Sequence, residues 1–186
     1  MKRVGSLFLG LTFLVVLVLG SGCTQHAIVG DLDVSPESLN GLSKKSVAIV
    51  LTEPDVKDVY LTQAGGRAYK YEIKGARNRL GDALTKILGG GFKSVSIVKE
   101  AGTDLKAYDY VIKPTLNIRA ASDFWTDACI ANLSLEMMSN HTSFKTRESG
   151  EFKKTFMSDA SSACTEALQK VVVSATRTTL KSLHTR

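Results

Sequence analysis

Three cysteines are the residues of this chain best suited to chemistry, and they fall into two groups. Cys23 directly follows three small residues, Gly20-Ser21-Gly22, at the end of an apolar run. Cys129 lies in a predicted strand and Cys164 in a predicted helix. In an oxidising compartment these two could close a structural disulfide worth about 3–4 kcal/mol. As free thiols they would pack as small buried hydrophobic side chains, so both interpretations stay open.

Other reactive side chains are scattered. His26 lies near the N-terminus, His141 in a predicted turn and His184 near the C-terminus. None shares a segment with a nucleophile and an acid, which Ser-His-Asp chemistry would have to bring together through the fold. No His lies at ligand spacing to Cys129 or Cys164, so we expect no metal site. The sequence therefore predicts a non-enzymatic protein without a cofactor.

Two further patterns have a structural and a functional interpretation. Gly89-Gly90-Gly91 follows a predicted helix, whereas phosphate-binding glycine loops lead into one, so these glycines are predicted to stop the helix. Phe124 and Trp125 are two large aromatic residues at a predicted loop tip. They either plug the core or form a contact site for a partner or a membrane.

The N-terminus has the three parts of a secretory signal. Lys2 and Arg3 supply positive charge, residues 4–19 are mostly apolar, and Gly20-Ser21-Gly22 forms a small-residue exit. The alternative is a membrane-spanning anchor, because the uncharged stretch approaches the ~20 residues needed to cross a bilayer. No basic cluster follows it, which favours a signal peptide over residues 1–22.

The small residues before Cys23 resemble the lipobox of bacterial lipoproteins. That family usually has a Leu three residues before the Cys, where this chain has Gly20, with Leu19 one step earlier. The resemblance implies cleavage before Cys23, a diacylglycerol on its sulfur and an acyl chain, such as palmitate, on its new amine. Several acyl chains make a lasting membrane anchor. Thr24, in place of Asp, implies sorting to the outer membrane, with the domain in the periplasm.

Composition and charge are those of a globular protein. The chain has 186 residues, of which 44% are hydrophobic and 23% charged. Its formal net charge is +6, and two of the positive charges, Lys2 and Arg3, lie in the predicted signal. The remaining basic residues are scattered among acidic and apolar ones instead of forming a stripe with aromatic residues, which argues against nucleic-acid binding. Mild attraction to an anionic membrane surface is the expected effect.

The pattern along the chain predicts an α+β fold. Residues 23–43, few of which are large and apolar, are predicted to be a lipidated N-terminus and tether, followed by one periplasmic domain over residues 44–186. Its predicted order is a strand, a hairpin or flap around Gly65-Gly66, a helix, a strand, a three-strand meander and a final helix. This order predicts an antiparallel or mixed sheet of about four to six strands with two helices packed on one face.

Two motifs carry a further resemblance. The first helix ends in Gly89-Gly90-Gly91-Phe92, and a strand begins with Ala107-Tyr108-Asp109-Tyr110-Val111 before the meander. Residues 45–183 resemble small bacterial outer-membrane lipoproteins of the LptE-like and YajG-like type. They are also similar to the N-terminal domain of TolB and to CsgG- and LpoB-like lipoproteins. Residues 56–73 have no place in that pattern, and the resemblance implies architecture more than function.

These sequence patterns are consistent with two functions. The first is a non-catalytic accessory lipoprotein that docks on a larger envelope assembly for transport, secretion or appendage biogenesis. The second is a carrier or sensor of an amphipathic ligand such as a lipid, which needs a cavity between the sheet and the helices. That cavity would be lined by apolar residues of the meander, namely Trp125, Met137, Met138 and Phe144.

Overall fold

The computed structural model describes residues 24–37, 41–63, 70–99, 102–122, 126–139, 143–155 and 159–184. The predicted signal, Cys23, Phe124, Trp125 and His141 lie outside the described residues, which contain no helix that is long and apolar enough to span a membrane. The strands and helices, in chain order, are β1 (Thr24–Ile28), β2 (Ser46–Val50), β3 (Val59–Gln63), β4 (Lys70–Lys74), α1 (Ala76–Gly89), β5 (Ser94–Val98), β6 (Tyr110–Ala120), β7 (Thr126–Ser139), β8 (Ser143–Thr155) and α2 (Ala160–His184).

Five strands form the larger sheet, in the order β5-β2-β6-β7-β8. β2 pairs in parallel with both β5 and β6, and β6, β7 and β8 form an antiparallel meander. The predicted alternation holds in β7, where the odd positions from Cys129 to Met137 are fully buried. The predicted α+β class is therefore confirmed, and the sheet is mixed.

Both helices pack on one face of this sheet. The buried stripe of α1 and the buried residues of α2 join one apolar core with Val47, Ile49 and Ile112. α1 ends at Gly89, as the glycine run predicts, and the amide of Phe92 donates to the carbonyl of Leu88 (3.0 Å) to close the helix end. The start of α2 is capped by Asp159, whose carboxylate accepts from the amide of Ser162 (2.8 Å).

Three strands form a second, smaller sheet in the order β1-β4-β3. β3 and β4 pair antiparallel, which places the extended stretches on either side of Gly65-Gly66 beside each other, and β1 pairs in parallel with β4. The prediction of a single sheet is incomplete, because the two strands flanking Gly65-Gly66 join a sheet with β1 instead of extending the larger one. Residues 56–73, which the family resemblance left without a place, supply two of its three strands.

The segment before and within β3 covers an open edge of β6. β2 pairs with β6 only from Tyr110 to Ile112. Beyond that point the amide of Leu116 donates to the carbonyl of Asp55 (2.9 Å), and the buried hydroxyl of Tyr60 donates to the carbonyl of Leu116 (3.1 Å). Pro114 lies where the pairing with β2 has stopped, so its missing N–H breaks no ladder bond there. The smaller sheet thus protects a strand edge that would otherwise be open to stray pairing.

Residues 24–37 differ most from their prediction. They were expected to form a tether, but Thr24–Ile28 is a strand and the side chains of Ala27, Val29 and Val34 are buried in the core. Leu42 is buried as well. Small apolar residues spaced among polar ones were enough to fill gaps between β4 and α2, although they lack the regular alternation that predicts a strand. Thr24, the first described residue, is therefore already part of the folded domain.

Candidate functional site

The N-terminal segment is fixed along α2 by a row of polar side chains. The amide of Ile28 donates to the hydroxyl of Ser161 (3.0 Å), and that of Gly30 to the hydroxyl of Thr165 (2.9 Å). The amide of Asp33 donates to the side-chain oxygen of Gln169 (2.9 Å). Residues four apart lie on one face of a helix, so α2 offers an acceptor at each turn to a chain running beside it. The backbone that leads away from Cys23 is therefore held against the domain.

Further along α2, a charged side chain continues this row of contacts to the N-terminal segment. The guanidinium of Arg177 contacts the carboxylate of Glu37 at 2.7 Å. At this point the segment also passes close to the end of α1, because a Cβ on Gly90 would lie 2.8 Å from the carbonyl oxygen of Glu37. Residues 28–37 are thus attached to both helices, which leaves the segment little freedom to act as a spacer.

Cys129 and Cys164 form a disulfide between β7 and α2, with their Cα atoms 4.9 Å apart. Both residues are fully buried. The bond joins the first turns of α2 to the larger sheet at the same end of the helix where Ser161 and Thr165 hold the N-terminal segment. The structure therefore contains the disulfide and not two buried free thiols.

One face of the smaller sheet is turned away from the core and is called here the N-terminal face. Its members alternate with the buried residues Ala27, Tyr60 and Ile73 along the strands. Three of them are apolar and exposed: Leu61 at 77%, Ile28 at 61% and Val59 at 39%. The complete face consists of Thr24, His26, Ile28, Val59, Leu61, Gln63, Lys70, Glu72 and Lys74.

Charges on the N-terminal face are concentrated on its central strand. The carboxylate of Glu72 contacts the ammonium of Lys74 at 2.9 Å and Nδ1 of His26 at 2.7 Å. The hydrogen bond from Lys74 is the main cause that lowers the pKa of Glu72, and His26 adds to it. Lys70 is exposed beside Thr24, in the row of residues nearest to Cys23. The outer strands of the face thus supply its apolar residues together with three polar ones, and the central strand carries two Lys and one Glu.

The outer face of the meander, opposite the helices, has a different character. It is called here the meander face, and the alternation along its three strands exposes polar and basic side chains in successive rows. Five basic residues accompany two acidic ones, so the face has an excess of positive charge. Its charged residues are Lys113, Arg119, Glu136, Lys145, Arg147, Glu151 and Lys153.

Asp109, within the motif that carries the family resemblance, has a structural role. Its carboxylate accepts from the amide of Ser46 (2.8 Å), from the hydroxyl of Ser46 (3.0 Å) and from the ammonium of Lys45 (3.0 Å). The backbone amide of Ser46 contributes most to lowering the pKa of Asp109 to about 2, followed by Lys45. The residue joins the start of β6 to the start of β2, which explains an Asp before this strand.

Of the described residues expected to line a ligand cavity, Met137 and Phe144 are cross-strand neighbours, and Met138 lies apart from them. Met137 is fully buried on the helix side of β7, whereas Met138 points to the opposite side and packs with Ala48, Val50 and Val111. Phe144 packs at the edge of the main core. The one-residue offset between the two methionines places them on opposite faces of the sheet. Trp125 and Phe124 lie outside the described residues. Among the described residues, no three His, Cys, Asp or Glu side chains group so as to hold a metal ion.

Sequence reasoning missed the residues that fix the N-terminal segment and those of the N-terminal face. The signal for the first was present, because Ser161, Thr165 and Gln169 form a polar row at four-residue spacing beside the apolar stripe of α2. For the N-terminal face the signal was weak. Ile28 belongs to a short strand whose partner lies far along the chain, and Leu61 has no apolar neighbour at alternate positions other than Val59.

Neither a protein-family model nor a curated protein matches the sequence. Solved structures with a similar arrangement include protein XCC0632 from Xanthomonas campestris, of the family DUF330, at 11% identity and a TM-score of 0.42, covering 84% of this chain and 92% of that one. The PelC dodecamer from Paraburkholderia phytofirmans is 16% identical, with a TM-score of 0.38 and coverage of 75% and 91%. A candidate lipoprotein from Caulobacter crescentus is 15% identical, with a TM-score of 0.33 and coverage of 59% and 78%. These identities and TM-scores do not indicate a function for this chain.

Proposed function

We propose that this chain is a lipid-anchored accessory protein of the bacterial cell envelope. In this proposal the signal over residues 1–22 is removed, Cys23 carries the acyl chains, and the domain faces the periplasm from the outer membrane. The protein has no catalytic role and docks on a larger envelope assembly. The observation that carries the proposal is that Thr24, the residue after Cys23, already lies in a strand of the domain, so that acyl chains on Cys23 would hold the domain close to the membrane surface.

The disulfide supports export from the cytosol. Bonds of this kind form and persist in oxidising compartments such as the periplasm, and thiols in the cytosol are kept reduced. Cys129 and Cys164 are fully buried, and their bond joins the two layers of the domain. A protein built in this way is suited to the compartment to which the N-terminal signal would deliver it.

The meander face is the surface we propose for the partner. It is broad, because β6, β7 and β8 have 11, 14 and 13 residues, and its charge is mainly positive. Lys145, Arg147 and Lys153 are exposed on β8, the edge strand of the sheet. A positive surface attracts and orients a partner with an acidic surface. We therefore propose an envelope protein with an acidic docking surface as the partner.

Intact mass of the membrane-extracted protein tests the anchor. Wild-type protein is expected to lack residues 1–22 and to carry additional acyl mass, whereas Cys23→Ala carries none. Loss of residues 1–22 without acyl mass would leave a soluble periplasmic protein and refute the lipid anchor. Retention of residues 1–22 would make that segment a membrane-spanning anchor.

Site-specific photocrosslinking in intact cells tests the docking surface. A photoreactive amino acid at Ser149, on the meander face, is expected to give a discrete crosslinked product. The matched control is Ser94, an exposed serine on the edge strand β5. The change Arg147→Glu, two residues from Ser149 on the same face, should abolish the product. Crosslinking of equal strength from Ser94, or none from Ser149, would refute docking through the meander face.

A further inference from the structure

We infer that the N-terminal face is a lipid-contacting surface and that the smaller sheet lies against the headgroup region of the membrane. This inference rests on the proposed acylation of Cys23 and adds to it a defined orientation of the domain. Three features of the described residues support this orientation: the place where the chain enters the fold, the side chains that the face exposes, and the positions of its charges.

The point of entry places the face next to the anchor. Thr24 is both the residue after Cys23 and the first residue of β1. Strands rise about 3.3 Å per residue and lie about 4.8 Å apart. Leu61 is two strands away from His26 in register, so its Cα lies roughly 12 Å from that of Thr24 by these spacings. The Cα of Ile28 lies about 13 Å from that of Thr24 along β1. The exposed apolar residues are therefore within reach of the membrane in which the acyl chains would be embedded.

The side chains on this face suit a lipid surface. Leu61, Ile28 and Val59 are three of the four large hydrophobic residues that are exposed in the described part of the chain, and all three occupy one face of one small sheet. Aliphatic side chains at a membrane surface bury into the boundary between headgroups and acyl chains, about 5–10 Å deep. An exposed apolar cluster of this kind indicates a contact surface.

The charges on the face distinguish a lipid from other occupants. Lys70 is exposed in the row nearest to Cys23, and Lys74 lies in the row of Ile28 and Val59. Lys side chains can keep their ammonium groups at the level of lipid phosphates while their methylene stems lie along apolar surface. Positive charges are attracted to anionic lipids. The carboxylate of Glu72 contacts Lys74 at 2.9 Å, so two Lys and one Glu leave the central strand a small excess of positive charge, with Lys70 nearest to Cys23. Next to the proposed anchor, this aliphatic and slightly basic face matches an anionic lipid surface.

Lipid-attached quenchers test this orientation. Leu61→Cys in the full-length chain is labelled with an environment-sensitive fluorophore, after purification of the acylated protein from membranes. The protein is reconstituted in phosphatidylethanolamine–phosphatidylglycerol vesicles that contain spin-labelled lipid. The matched control is Ser149→Cys on the meander face. We expect the fluorophore at position 61 to be quenched at least threefold more strongly than that at position 149, with a blue-shifted emission. Circular dichroism of both variants checks that the fold is retained.

The outcomes separate this inference from the proposed function. Intact mass is measured on the same samples. Acylated protein whose fluorophore at position 61 is quenched no more than that at position 149 overturns the lipid contact and leaves the anchor intact. A fluorophore at position 61 that is protected in native membranes but exposed in the lipid vesicles also overturns it, and identifies a protein as the occupant of the face. Absence of acyl mass overturns the anchor and the inference together.

Discussion

Helix α2 contacts both sheets through one apolar core, which includes Ala27 and Val29 of the N-terminal segment, but its further contacts to the two sheets differ. Toward the larger sheet it contributes a fully buried apolar surface, with Leu168, Val171 and Val172, and a disulfide to β7. Toward the segment that begins with β1 it offers hydroxyl and amide side chains to the backbone amides of residues 28, 30 and 33. The first attachment excludes water, whereas the second lies at the surface and is partly open to it.

This difference indicates how each region responds to perturbation. Apolar burial contributes to global stability because it is lost only when the domain unfolds, and the disulfide contributes because it restricts the unfolded chain. Hydrogen bonds at the surface contribute less, since water can replace them, and regions held in this way open locally before the rest unfolds. We expect the larger sheet and α2 to form the stable unit, and the N-terminal segment to be the region that opens first.

Removal of the disulfide should have the largest effect. Cys129→Ala combined with Cys164→Ala opens a loop of 35 residues, and the loop-entropy relation predicts a decrease of about 3–4 kcal/mol in the free energy of unfolding. Urea denaturation of the protein and the double variant measures it. A decrease below about 1 kcal/mol would show that apolar packing alone holds α2 on the sheet.

A methyl group added at Gly150 should disturb the packing of α2 on the larger sheet, because there is too little space for it. A Cβ at this position in β8 would lie 2.7 Å from Cγ1 of Val171 on α2, and the stiff β-branched side chain cannot easily move aside. Gly150→Ala is expected to decrease the free energy of unfolding by about 1–3 kcal/mol. Gly89→Ala is the matched control, because nothing lies within 4 Å of its Cβ, and it should be neutral or slightly stabilising. Equal effects of the two changes in thermal denaturation would contradict close packing at Gly150.

Thr165→Val tests the polar attachment of the N-terminal segment. The change keeps the shape of the side chain but removes the hydroxyl that accepts from the amide of Gly30. We expect a loss of about 1 kcal/mol, with faster amide hydrogen exchange concentrated in residues 28–33. Thr178→Val is the control, since the hydroxyl of Thr178 donates at the surface to the carboxylate of Glu148 (3.2 Å). Uniform acceleration of exchange across the domain would show that the segment does not open separately.

The smallest effect is expected from Asp109, a polar contact within the larger sheet. Its pKa in the fold, about 2, is below the ordinary value of 3.8, so the fold favours its charged form. This contribution is therefore present above about pH 4 and lost as the pH falls toward 2. Asp109→Asn should lower the melting temperature slightly at neutral pH, and the difference from wild type should vanish near pH 2. Thermal scans across this range measure it, and a constant difference would assign the effect to lost geometry instead of charge.

The sequence predicted the regions with regular apolar patterns and missed the N-terminal segment, whose buried residues Ala27, Val29 and Val34 are irregularly spaced. The stripe of α1, the alternation in β7 and the cysteine pair carry regular periodicity or a distinctive residue type, so the α+β class followed from them. β1 carries neither, because only Ala27 of its five residues is buried. Its pairing with β4 is parallel and joins residues 46 positions apart, as in Thr24 with Lys70. Local patterns contain no information about such a partner, and the division into two sheets depends on it.

The attachment of β1 also determines how the protein would carry mechanical load. A pull on residue 23 along the axis of β1 would enter the domain at Thr24. The five residue pairs between β1 and β4 would then be loaded together in shear, instead of being peeled apart one by one. The side-chain bonds to α2 would pass part of the force to that helix, and the Cys129–Cys164 bond would transmit it to the meander. Under the proposed anchoring, a force applied at Thr24 would thus be shared between both sheets.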